Sequence, residues 1–127
     1  MDSLDIQATK SSPLVVFDPV AGVLRIEGQS YPENPVRFYE PVLAALEEWF
    51  VEKAGCALTV NINLSYMNTS SSKCLMNLLD RLDEASRGGA LVTVNWYYDV
   101  DNEMAHESAE EFREGLQVPF NVIALES

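Results

Sequence analysis

Hydrophobic and polar positions follow two rhythms along this chain. Leu58, Val60, Ile62, Leu64 and Tyr66 alternate with Thr59, Asn61, Asn63 and Ser65, the period of two that turns one strand face to a core. Downstream, Leu75, Leu78, Leu79, Leu82 and Ala85 recur at helical spacing, which predicts a helix over about 71–87, stopped by Gly88-Gly89. Earlier, Leu14–Phe17 and Val23–Glu27 read as a hairpin across the turn-forming run 18–22. A helix follows from Pro35, with Asn34 as its N-cap, Tyr39, Val42, Leu43, Leu46, Trp49 and Phe50 on one face, and Gly55 closing it. A strand at Leu91–Tyr97, a loop over 98–102, a helix from about 102 to 114 capped by Asp101, and a strand Phe120–Leu125 complete the order ββαβαβαβ. Residues 1–12 are polar and without period, so they read as a flexible start, leaving 13–127 as a single domain.

The strand patterns decide the architecture. A sheet covered on both faces has strands that are apolar throughout. Here Thr59, Asn61, Asn63 and Ser65, and likewise Thr93 and Asn95, give their strands one polar face. The expectation is an α/β fold, a mixed sheet of about five strands with helices packed on one face through right-handed crossovers. Loops at the carboxyl ends of parallel strands are where such sheets meet ligands and partners, and residues 67–72 fall there.

Five capping-type residues stand together at that point, Asn68-Thr69-Ser70-Ser71-Ser72, and one of the four hydroxyls is expected to cap the helix. A single cap needs one side chain. The surplus suggests a hydroxyl that is phosphorylated or that contacts a partner, at a helix start where negative charge is favoured. Thr69 is the candidate for modification, with Asn68, Ser70 and Ser71 beside it as candidate partner contacts. Tyr97 and Tyr98 end the strand at 91–98 and cannot face the same way, so at least one borders that surface.

Charge narrows the partners. A net charge of −12, from 20 acidic and 8 basic residues among 127, argues against nucleic acid and anionic membrane. No apolar run is long enough to span a bilayer, and the start lacks a signal peptide's basic and apolar regions, so cytoplasmic residence is expected without membrane insertion. Cys56 and Cys74 have no metal-ligand spacing, and Cys74 reads as a buried structural thiol. The acidic run Asp99, Asp101, Asn102 and Glu103 lacks the central Gly and further ligands of a calcium loop. His106 has no nucleophile placed beside it by spacing and reads as a surface residue. No catalytic residue, cofactor site or metal site is expected.

Several stretches carry a resemblance. The element order, with a modifiable hydroxyl at the start of the second helix, resembles the STAS domain of anti-sigma-factor antagonists. Ser30-Tyr31-Pro32-Glu33-Asn34, Tyr66-Met67-Asn68-Thr69-Ser70-Ser71, Val94-Asn95-Trp96-Tyr97-Tyr98-Asp99 and Ala109-Glu110-Glu111-Phe112-Arg113-Glu114 are similar to the SiaC-type bacterial regulatory phosphoproteins, which are STAS-like. The resemblance implies a STAS-like domain and a non-enzymatic partner switch. A dedicated, anti-sigma-kinase-like protein kinase would phosphorylate Thr69, and a PP2C-type phosphatase would reverse this. The unmodified form would bind and activate a diguanylate cyclase, controlling cyclic di-GMP and biofilm growth. The alternative is an antagonist that sequesters an anti-sigma kinase.

Overall fold

From Leu58 to Leu64 every second side chain of one strand is buried, and the fold is built outward from that row. The computed structural model describes residues 3–126. In chain order its elements are β1 (Leu4–Ile6), β2 (Leu14–Asp18), β3 (Val23–Ser30), α1 (Pro35–Glu52), β4 (Ala57–Met67), α2 (Thr69–Arg87), β5 (Leu91–Asp99), α3 (Glu103–Arg113) and β6 (Phe120–Leu125). They form one six-stranded sheet in sequential order. β1, β2 and β3 run antiparallel, and β3 through β6 run parallel. Each parallel step requires a crossover, and a right-handed one made always in the same direction leaves its helix on the same face.

That face holds the core. Leu24, Ile26, Val60, Ile62, Val94 and Trp96 point into it from the strands, and Leu46, Trp49, Leu75, Leu78, Leu82 and Phe112 from the helices. The opposite face stays polar. There Asn121 Nδ2 donates to Asn95 Oδ1 and Asn95 Nδ2 to Asn61 Oδ1, each at 3.0 Å, so three aligned residues of β4, β5 and β6 form a row of linked amides. α1 is fastened to α2 by Arg81, which donates to both carboxylate oxygens of Glu47 (2.5 and 2.7 Å) and lies over the Phe50 ring.

The β2–β3 turn has a positive-φ residue, Gly22 (φ 69°), whose carbonyl accepts from Thr59 N (2.8 Å). A Cβ there would collide with the Ala57 carbonyl oxygen and come within 3.4 Å of Trp49 Cζ2. Trp49 Nε1 donates to Pro19 O on the same turn.

Four details differ from the expectations. β1 lies within the stretch read as an unpatterned start; three residues are too few for an alternation to register. α2 begins at Thr69, and its N-cap is Asn68 rather than a hydroxyl. Asn102, not Asp101, caps α3, while Asp101 N donates to Asp99 Oδ1 in the preceding turn. The alternation of β4 breaks before Tyr66: Gly28 pairs with Leu64 and Gln29 with Tyr66, so Ser65 is an extra residue on β4. Such a bulge re-aims the residues after it. Tyr66 turns outward, 52% exposed, and Met67 turns toward the core.

Candidate functional site

The carboxyl ends of the parallel strands carry the starts of all three helices, and each start is closed by an asparagine. Asn34 Oδ1 accepts from Arg37 N (3.1 Å), Asn68 Oδ1 from Ser71 N (2.8 Å) and Asn102 Oδ1 from Ala105 N (3.0 Å). Asn34, Asn68 and Asn102 are equally spaced along the chain, each ending the loop after its strand. Two of the caps are also tied to neighbouring strands: Asn68 N donates to Ser30 O (3.0 Å), and Asn102 Nδ2 to Ser65 O (3.1 Å). Three aligned helix starts thus set first-turn N–H groups along one edge of the molecule, each a place where the helix dipole favours an anion.

The hydroxyl run divides there. Thr69 and Ser70 are exposed, Ser72 is half-buried, and Ser71 is wholly buried. Helical geometry is the cause, since the third residue of the first turn faces the sheet. Ser30 Oγ donates to Ser71 Oγ (2.9 Å) and lies 2.7 Å from Tyr39 Oη, so three hydroxyls from β3, α1 and α2 form a chain inside the core. Burial pushes the Tyr39 phenol up to about 12; its hydrogen bond with Ser30 lowers it only in part, and Cys74 nearby adds to the rise. Ser71 therefore departs from its expected role, because its side chain is committed to this chain and presents nothing to a partner.

Large apolar side chains are exposed at this end of the molecule. Tyr66 meets Tyr31 edge-on at 5.8 Å, and Met104 is 77% exposed. A depression of about 140 Å³ runs between α2 and α3, lined by Tyr66, Met67, Ser72, Asn102, Met104 and Ala105 among others. Tyr98 reaches this end of the molecule and stacks on His106 of α3 at 4.5 Å. Tyr97 points the other way, to the polar sheet face beside Asn61, Asn63 and Leu125. The structure thus brings Asn68, Thr69 and Ser70 together, with Tyr98 at the same end, and leaves Tyr97 apart.

No group of three or more His, Cys, Asp or Glu side chains is placed to hold a metal among the described residues. The acidic run after β5 is a turn and a cap. Both cysteines are free, Cys56 exposed and Cys74 buried, and burial raises the Cys74 thiol above its ordinary pKa. No helix among the described residues is long and apolar enough to cross a membrane.

Sequence reading missed Ser30, Tyr39 and Tyr66. Ser30 continues the inward alternation of Leu24 and Ile26, which was a usable signal. Tyr39 was placed inward, but nothing local disclosed its hydroxyl partner.

Residues 6–125 match the sequence profile of the SiaC family regulatory phosphoproteins. The chain belongs to the SiaC family. A Pseudomonas aeruginosa protein (strain UCBPP-PA14) is 41% identical over 124 residues, covering 98% of both chains. The solved structure of SiaC of Pseudomonas aeruginosa superposes with a TM-score of 0.91 at 38% identity, covering 98% of this chain and 100% of that one. Another is the crystal structure of the diguanylate cyclase SiaD in complex with its activator SiaC, also from Pseudomonas aeruginosa. There the SiaC-like chain matches with a TM-score of 0.92 at 40% identity, covering 96% of this chain and 99% of that one. The SiaC family is one of regulatory proteins rather than enzymes.

Proposed function

We propose that this chain is a cytoplasmic partner-switching regulator. Its unmodified form binds and activates a diguanylate cyclase, and phosphorylation of Thr69 by a dedicated protein kinase releases the cyclase. A PP2C-type phosphatase restores the active form. The observation that carries this reading is the near-complete correspondence to an activator solved on its cyclase. The exposure of Thr69 at the start of α2 supports the choice of residue.

Phosphorylation adds a charge of about −1.5 to −2. At the first position of α2 the backbone N–H groups of Thr69 and Ser70 take no part in capping, and the helix dipole favours an anion, so the fold tolerates the modification. At an interface the same charge must be desolvated. A hundredfold weakening needs only about 2.7 kcal/mol. Contacts to the cyclase fall on Asn68, Thr69, Ser70, Tyr66, Met104 and Tyr98.

The test is a titration of purified diguanylate cyclase with three forms of the chain, reading cyclic di-GMP production. Wild type and Thr69→Ala should activate alike, whereas Thr69→Glu should need at least tenfold higher concentration. Equal activation by Thr69→Glu would remove Thr69 from the switch.

A further inference from the structure

Thr69 opens α2 and Lys73 lies one helical turn on, both exposed. At that spacing two side chains share a helix face, with about 5–6 Å between their Cβ atoms. The acid-before-base order is the favourable one. Four of the chain's cations are already engaged: Arg25 with Glu27, Arg81 with Glu47, Arg87 with Asp83 and Arg113 with Glu110. Lys73 has no carboxylate partner among the described residues, so its ammonium is free to take one. Ser71 cannot compete for it, being buried on the sheet side of the same turn.

We propose that Lys73 is the internal counterion of phosphorylated Thr69. This rests on Thr69 being the modified residue. The phosphate folds along the helix, bounded by the N–H groups of the first turn on one side and by the ammonium on the other. Modification therefore changes the docking edge twice: it adds a dianion and it withdraws a positive charge that the unmodified surface offers to a partner's carboxylate. The buried hydroxyl chain keeps the first turn in place, which holds the two groups at helical spacing.

The experiment is a cycle of thermal unfolding measurements on the full chain, with and without phosphothreonine incorporated genetically at position 69. It is run in wild type, Lys73→Gln and Lys73→Arg. At low salt the phosphate should shift Tm more favourably in wild type and Lys73→Arg than in Lys73→Gln, by about 1–2 °C. The gap should close in about 1 M salt. The same phosphate-dependent shift in all three chains, or a gap indifferent to salt, overturns the pairing. Because the phosphate is installed without a kinase, these outcomes are separate from a kinase fraction of the source cell failing to label Thr69. That failure would remove the reading on which the pairing rests.

Discussion

Ser30 Oγ reaches Ser71 Oγ across 2.9 Å, although the two residues lie 41 positions apart. With Asn68 N on the Ser30 carbonyl, one residue of β3 secures both the cap and the third position of α2. The exposed turn that carries Thr69 is therefore fixed from below, through hydroxyls buried in the core.

Ser71→Ala leaves Ser30 without one of its two hydroxyl partners in a fully buried place. It should lower unfolding stability by about 1–2 kcal/mol in urea, while Thr69→Ala, on the surface of the same turn, should stay within about 0.5 kcal/mol. Equal effects of the two would contradict the inside–outside division of the hydroxyl run.

Tyr39 makes stability depend on alkaline pH. Its phenol is raised to about 12 in the folded chain against an ordinary 10, so the folded state holds a proton that the unfolded state loses first. The contribution is fully present below pH 10 and lost as pH rises toward 12. Spectrophotometric titration should show a phenol ionising near 12 that Tyr39→Phe deletes.

Asp83 works in the opposite direction. Its burial would raise the carboxyl pKa, but bonds from Val118 N and Gln117 N (2.8 and 2.7 Å) and the Arg87 guanidinium outweigh that and hold it below the ordinary carboxylate value. A depressed carboxyl stabilises the fold above its unfolded pKa and loses that contribution as pH falls through the folded one. Asp83→Ala should lower stability by about 1–3 kcal/mol at neutral pH and leave a flatter acid limb in denaturation as pH falls below the ordinary carboxylate range.

Gly22→Ala should cost at least about 1 kcal/mol, because the new methyl meets the Ala57 carbonyl and the backbone there has positive φ. Thermal unfolding would register it as a lowered Tm, with no change in cyclase activation per folded molecule, since the turn lies at the opposite end of β3 from Ser30.

The strand and helix periods disclosed the one-sided sheet because burial on a single face writes itself into sequence as alternation. The place of Thr69 at a helix start was legible for the same reason: it falls where one period gives way to the other. The caps of α2 and α3 were not. Asp, Asn, Ser and Thr are locally interchangeable there, and the choice of Asn68 and Asn102 is bound up with distant carbonyls, Ser30 O and Ser65 O. The bulge at Ser65 was equally hidden, since it lies in the pairing of β3 with β4, and it alone sends Tyr66 to the surface. The Tyr39–Ser30–Ser71 chain joins three separate segments, and no local window holds more than one of them.

The three asparagine-closed helix starts mean that nothing at this edge waits for a visitor to become ordered. For the proposed docking edge, loops already tied by their caps spare association the entropy of ordering them. With the caps already closed, the switching proposed for this edge would act through charge added to its outside rather than through a refolding of its turns.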